Sequence, residues 1–366
     1  MIVRQNLIRF LSILILTFTL ASCSKNNKTA DRKSDYVSCN PTNGMIPYCG
    51  FTNPEDMVII ADGAKLLVSE MGVFMQDSPG SLSLLDLASG QKQSIKITWV
   101  TEGESWGDNH CPQPQTSLFS PHGIDLMTRN DGKEQLLVVN HGGREAVEFF
   151  ELSQLNNEWQ LNWRGCALPP DDPFINDVAG LKDGGFLVTH MWDKNQAYLM
   201  LMFKYLMGIN TGWVWEWQSL HGFNKLAGSS GTAPNGIVVS HDNSKVYVNL
   251  YGDNKTIKID RRSGLLDGEF EVQQPDNITM DKDGNLWVAS HKHNPITQDC
   301  AEVIEGPCLL PFEIIKADPK SMQTTVLLSH HGAPTGYSTV ALKVADNIYM
   351  GSAHGDRIVS FGLQNK

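Results

Sequence analysis

One pattern recurs through this chain at intervals of roughly 40 to 65 residues, the period range of repeat architectures. Each copy holds an acid or amide position, a short apolar strand, an Asp/Asn/Gly turn, and a strand rich in Leu, Val and Tyr. The copies are PEDMVIIADGAKLLVSE, PHGIDLMTRNDGKEQLLVVNH, INDVAGLKDGGFLVTH, PNGIVVSHDNSKVYVNLYGD and PDNITMDKDGNLWVASH, with a weaker sixth, GYSTVALKVADNIYMGSAHGDRI. The DG, KDGG and DKDGN steps between apolar runs are hairpin signals. Further strands, such as GSLSLLDLAS, EAVEFFEL and TIKIDRRSG, lie between the copies. That makes about four short strands per unit, as in a propeller blade. The expected fold is all-β, a six-bladed β-propeller over residues 41–366. A tandem of β-sandwiches would not return a polar residue to the same point of every unit. Composition agrees: 32 Gly and 17 Pro in 366 residues, with 19% charged, suit tight turns better than long helices.

In a propeller the innermost strand of each blade starts near one end of the central channel, so residues at these starts converge. Here they are Glu55 and Asp56, His122, Asn176 and Asp177, Asn235, and Asp276 and Asn277. A lone Asn or Asp at such a place is a turn former. Recurrence through the repeats points instead to a shared site. Carboxylate and amide oxygens are the hard donors that Ca²⁺ takes.

The first residues read as a targeting segment. Arg4 and Arg9 flank the start, the apolar run FLSILILTFTLA follows, and small residues lead to Cys23. This is the layout of a signal peptide over residues 1–22, too short to favour a lasting membrane span. Leu20-Ala21-Ser22-Cys23 resembles a bacterial lipobox, so Cys23 is the expected lipidation site and membrane anchor. Ser24 rather than Asp follows it, which favours the outer membrane or periplasmic face over inner-membrane retention. Residues 23–40 are polar and read as a tether.

Six further cysteines remain, an even count that suits an exported, disulfide-bonded protein. Cys39–Cys49 and Cys300–Cys308 would each close a short local loop, which leaves Cys111 and Cys166. The sequence permits other pairings. No C-x-x-C spacing supports zinc.

Asn195 to Gly208, NQAYLMLMFKYLMG, breaks the strand alternation. It reads as a short helix over one face of the disc, as a wall of the site or as buried packing. The formal net charge of −11 argues against a nucleic-acid partner held by phosphate contacts, which need a basic face. No G-x-G-x-x-G after a strand is present.

The strings PEDMVI, SPHGIDL, LLVVNH, INDVAGL, PNGIVVS, PDNITMDKDGNLWVASH and IYMGSAH run in order from about Phe51 to the C-terminus. In them the sequence resembles the paraoxonase/arylesterase family of calcium-dependent lactonases. More distantly it is similar to gluconolactonase and strictosidine-synthase-like propellers. The resemblance implies two calcium ions on the propeller axis. A catalytic ion would be held by Glu55, Asn176, Asn235, Asp276 and Asn277. A structural ion would be held by Asp56, Asp177 and the carbonyl of Ile124. His122 and His141 would form the proton-transfer pair, and His291 and His354 would line the substrate pocket. The implied substrate is a small lactone or aryl ester. Its carbonyl would be polarised by the metal and attacked by water with help from His. A non-catalytic surface propeller, with calcium purely structural, is the second reading. The His pair beside the acid and amide ring favours the hydrolase, because a binding module needs no base there. One departure concerns ring closure. The family ties its N-terminal region to its last strand by a disulfide, and no Cys follows Cys308 here.

Overall fold

Each hairpin signal in the repeat becomes an antiparallel strand pair, and six sheets result. The structure is a computed structural model. It describes residues 37–363 except 74–77, 101–103, 295–296, 299, 301–302 and 304. The expected signal peptide, the lipidation site Cys23 and most of the expected tether lie outside the described residues.

The innermost strands are Pro54–Ile60, Pro121–Thr128, Pro173–Gly180, Pro234–Val239, Pro275–Met280 and Ser338–Val344, in blades 1 to 6. Five of the six begin at Pro, which a strand tolerates at its first residue because no ladder donor is lost there. Blades 1, 3, 4 and 5 have four strands in simple chain order. Blade 2 adds a fifth, Lys96–Thr98, parallel to Glu158–Ala167. Blade 6 is completed from the other end of the chain. Its outer strand is Met45–Cys49, antiparallel to Arg357–Gly362. Ring closure therefore rests on strand pairing, and the late Cys that the sequence lacks is not needed. Arg357 adds to it, donating from Nη1 to the Ser38 carbonyl (2.9 Å) and from Nη2 to that of Val37 (2.8 Å). These residues, inside the expected tether, are thus held against the last blade.

Six apolar cores lie between neighbouring blades. Leu67 and Leu82 of blade 1 meet Leu136 and Phe150 of blade 2. Phe149 of blade 2 meets Phe186 and Trp217 of blade 3. The same holds around the ring to Val340 and Ile358 of blade 6, packed on Met57 and Leu66 of blade 1. A blade is covered on both faces, so its middle strands are apolar without alternation, as in Leu136–Val139, every residue of which is buried.

A polar side chain of each blade bonds the backbone of the next blade's innermost strand, in the same sense all round. Asp56 accepts from Ile124 N–H (2.8 Å), Asp125 from Gly180 N–H (2.6 Å) and Asp177 from Ile237 N–H (2.8 Å). Asn249 then donates to the Asp276 carbonyl, Thr279 to that of Ala341 (2.7 Å) and Thr339 to that of Glu55 (2.7 Å). Three disulfides pair Cys39 with Cys49, Cys111 with Cys166, and Cys300 with Cys308.

Among the described residues there is one α-helix, Tyr198–Leu206, where the alternation breaks. None of its residues is buried, and Leu199 is 82% exposed. The buried-packing reading of this segment is thereby corrected.

Candidate active site

The innermost strands share a distortion at the functional residues. Their pairing register slips between Pro54 and Asp56, Pro121 and Ile124, Ile175 and Val178, Pro234 and Ile237, Pro275 and Ile278, and Ser338 and Val340. Each slip is a β-bulge, which leaves residues out of the ladder and re-aims their side chains. The residues so released are Glu55, His122, Asn176 with Asp177, Asn235, Asp276 with Asn277, and Thr339. Four entries are also strained. Asn53, Ala233, Gln274 and Tyr337, each just before its strand, hold positive φ.

Glycine lets these bulges nest. A Cβ on Gly123 would lie 2.5 Å from Asp177 Oδ1 and 2.6 Å from the Asn176 carbonyl. One on Gly236 would lie 2.5 Å from the Asp276 carbonyl. The Gly of PHG and of PNG is therefore the surface on which the next bulge sits.

Five of the predicted residues at the strand starts meet in two groups. Asn277 Nδ2 donates to Glu55 Oε1 (2.8 Å), and His122 Nε2 lies 3.6 Å from the same oxygen. Asn235 hydrogen-bonds the side chain of Asp276. All are buried. The amide of Asn176, also buried, turns its Nδ2 to the Met191 sulfur (3.2 Å).

Four oxygens of this group are buried and have no hydrogen-bond partner among the described residues: Glu55 Oε2, Asn176 Oδ1, Asn235 Oδ1 and Asn277 Oδ1. An unsatisfied buried acceptor is costly, and native proteins explain it by an ion, a water or a function. Acidity points to an ion. Burial and then the charge of Glu55 push the carboxyl of Asp56 well up. Asp177 is raised by burial and then by Asp56, and Asp276 by burial and then by Glu55, against the Asn235 hydrogen bond. Buried carboxylates that repel one another gain most from a cation between them. The residues named for the catalytic ion therefore fit Ca²⁺. Among the described residues no three of His, Cys, Asp and Glu form a ready metal cluster, and here three of the four free acceptors are amide oxygens. The second set is less open. Asp56 accepts from Met57 and Ile124 N–H, and Asp177 from Val178 and Ile237 N–H. Ile124 meets Asp56 through its N–H.

His122 leads away from the acceptors into a relay. Its Nδ1 is 2.6 Å from His141 Nε2. His141 Nδ1 lies 3.0 and 2.9 Å from the two oxygens of Glu145. Phe174 stacks on the His141 ring at 4.4 Å, and Trp192 stacks on Phe174 at 4.9 Å. Burial holds His141 below the usual imidazole range despite Glu145. Sequence reasoning missed Glu145. Its one signal is an acid four residues after His141 in a Gly-Gly turn, without a counterpart in the other repeats.

His291 and His354 have separate partners. His291 is buried beside Asp276, with Nε2 3.3 Å from Oδ2 and 3.1 Å from the Ser338 carbonyl. Its Nδ1 meets the Tyr251 hydroxyl at 3.1 Å. Burial, with His293 adding to it, pushes it down to about 3, so the ring is neutral. His354 Nε2 meets the Val303 carbonyl (2.7 Å), on the loop closed by Cys300–Cys308. Two clefts open elsewhere. One of about 940 Å³ lies between Tyr205 and Phe270, and one of about 840 Å³ lies around His190 and Trp213. Neither is lined by His122, His141 or the free acceptors.

Comparison with known proteins bears on the family and the fold. The family profile "Arylesterase" matches residues 52–357. Serum paraoxonase/arylesterase 1 of Mus musculus is 26% identical over 330 residues, covering 86% of each chain. The Homo sapiens protein of the same name is 24% identical over 331 residues, again covering 86% of each. A solved gluconolactonase from Xanthomonas campestris superposes with a TM-score of 0.52 at 13% identity, over 87% of this chain and 89% of that one. A solved luciferin-regenerating enzyme gives 0.51 at 12% identity, over 86% and 93%. These two likenesses bear on the fold alone. By the profile match, the chain belongs to the arylesterase family, hydrolases of the lactonase and esterase type.

Proposed function

We propose that this protein is a calcium-dependent hydrolase of lactones and aryl esters, with His122 as the base that activates water. The observation that carries the reading is the junction of two systems at Glu55: buried oxygens without partners on one side, a histidine relay on the other. Glu55, Asn176, Asn235, Asp276 and Asn277 would hold the ion, and Asp56 and Asp177 would hold a second. When bound, calcium supplies a Lewis acid that favours charge developing on a substrate carbonyl oxygen. Three of the residues around it are neutral amides, so only the two carboxylates Glu55 and Asp276 offset its charge.

The remaining work falls to the chain's own residues. His122 is nearly enclosed, and its Nδ1 is committed to His141, which leaves Nε2 to take a proton from water. His141 holds the ring of His122 in place and shares the charge that forms on it. Phe174 and Trp192 form an apolar wall beside the pair, suited to the body of a neutral ester and to exclusion of bulk water.

The test is hydrolysis of a panel of γ- and δ-lactones and phenyl acetate by the purified protein, with calcium and with chelator. Turnover is expected with calcium and not with chelator. His122→Gln should lower kcat by about a hundredfold or more yet keep the rise in melting temperature that calcium gives. Asn277→Ala should lose turnover and part of that rise, the second ion supplying the remainder. Absence of turnover on every substrate, with calcium still raising the melting temperature, would replace this reading with a binding propeller.

A further inference from the structure

We propose that Glu145 is a positioning residue: anchored by Lys194, its carboxylate makes Nδ1 the protonated nitrogen of His141, and thereby leaves Nε2 of His122 free to accept a proton. The inference rests on the hydrolase reading for its catalytic consequence, but its structural content stands by itself.

The donor and acceptor inventory sets the direction. An ionised carboxylate only accepts, and each neutral imidazole has one donor and one acceptor nitrogen. Both Glu145 oxygens face His141 Nδ1, at 3.0 and 2.9 Å. A lone pair on Nδ1 would set acceptor against acceptor, so Nδ1 carries the hydrogen. His141 Nε2 is then the acceptor, and the 2.6 Å contact requires His122 Nδ1 to donate. The free lone pair is left at His122 Nε2. When that nitrogen takes a proton from water, one O–H bond breaks, one N–H bond forms, and the water's electron pair is released for attack. The positive charge lies on an imidazole whose Nδ1–H points along a chain ending in a carboxylate.

Glu145 is held for this task. Lys194 Nζ donates to its Oε1 at 2.9 Å and Ile175 N–H to its Oε2 at 3.4 Å, both from blade 3, while His141 belongs to blade 2. The Glu145 side chain is 4% exposed and that of Lys194 38%. Burial works against the charged carboxylate, but His141 and Lys194 outweigh it and hold the group below its ordinary range. The segment between relay members is fastened at both ends. Asn140 accepts from Ser120 N–H (2.9 Å) and Gly142 N–H (3.0 Å). Arg144 donates to the Pro112 carbonyl (2.8 Å) and to Glu148 (2.9 Å). A Cβ on Gly142 would lie 1.5 Å from the Leu118 carbonyl oxygen, so only glycine lets the turn sit there.

The experiment uses the full chain as wild type, Glu145→Gln, Glu145→Asp and Lys194→Met. Two readouts are taken: ¹H–¹⁵N correlation spectra of the histidine rings, and kcat and KM on the best lactone. The wild type should show His141 as the Nδ1–H tautomer. Glu145→Gln should give a mixed tautomer and a kcat about tenfold to a hundredfold lower, the usual cost of losing a carboxylate that orients a histidine. KM should stay within about twofold, because the removed contact touches no substrate. Glu145→Asp should recover part of kcat. Lys194→Met should show a smaller loss of the same kind. An Nε2–H His141 in the wild type overturns the proposal even if no substrate is turned over, which separates it from failure of the hydrolase reading. A folded Glu145→Gln with wild-type kcat and tautomer also overturns it. If Glu145→Gln does not fold, Lys194→Met decides in the same two ways.

Discussion

Asn176, Asn235 and Asn277 each spend an amide where an acid would be the stronger cation donor. The exchange makes sense beside Glu55, Asp56, Asp177 and Asp276, whose burial already raises three of the four. Further carboxylates would deepen the repulsion and neutralise the ion. A different buried group offers a clean test of linkage. Burial pushes His190 down to about 4, against Asp193, the Trp192 backbone and Asp171, with Lys225 adding to the fall. Unfolded, it would titrate near 6.5. Between those values the unfolded chain binds the extra proton, so stability is fully present above the unfolded value and is lost as pH falls toward about 4. His190→Gln should therefore flatten the acid limb of the melting-temperature profile in that window. The difference is expected on the order of 3 kcal/mol. Parallel limbs in variant and wild type would show that His190 does not carry it. At this scale the sequence was most informative where residues repeat. The acids and amides proposed to hold an ion stand at the innermost-strand starts of blades 1, 3, 4 and 5, and His122 and His141 stand in strings with a recognisable resemblance. Glu145 and Lys194 lie on connections, where no periodicity marks them, and only the packing of blade 2 on blade 3 brings them together.

The innermost strand is the element that turns repeat into site. Its hairpin was legible because the turn residues DG, KDGG and DKDGN announce it. Its bulge was not, because a register slip leaves no mark on apolar alternation three residues long. Nor was the parallel strand Lys96–Thr98, which is too short for a pattern. The helix was legible from the break in alternation, but its exposure was not, since an apolar run reads alike on a face and in a core. The bulges nest only if Gly123 stays without a side chain. Gly123→Ala would place a methyl group 2.5 Å from Asp177 Oδ1. The expected cost is about 1 to 3 kcal/mol by urea denaturation, the range for overpacking against backbone. It should come with a smaller calcium-induced rise in melting temperature. A variant as stable as the wild type would mean that neighbouring bulges adjust freely.

The propeller described over residues 37–363 is a ring with one joint. Blade number was legible from six repeats, but the joint was not. Met45–Cys49 belongs to no repeat, and the absence of a late Cys said only that some other closure was needed. Strand pairing supplies it, and Arg357 binds the chain just before that strand. Arg357→Met should cost about 2 to 4 kcal/mol, since a buried cation and its carbonyl acceptors lose each other. Amide exchange at Met45–Cys49 should accelerate before exchange at the middle blades does; uniform acceleration would mean that the ring opens everywhere at once. The joint also sets a clock on biosynthesis. The ribosome makes the outer strand of blade 6 first and its partner some 300 residues later, a wait of roughly 15 to 60 seconds at ordinary elongation rates. During that wait a bare strand edge is presented to every other chain nearby. A chaperone that occupies the nascent N-terminal strand would thus govern yield more than one acting on any complete blade.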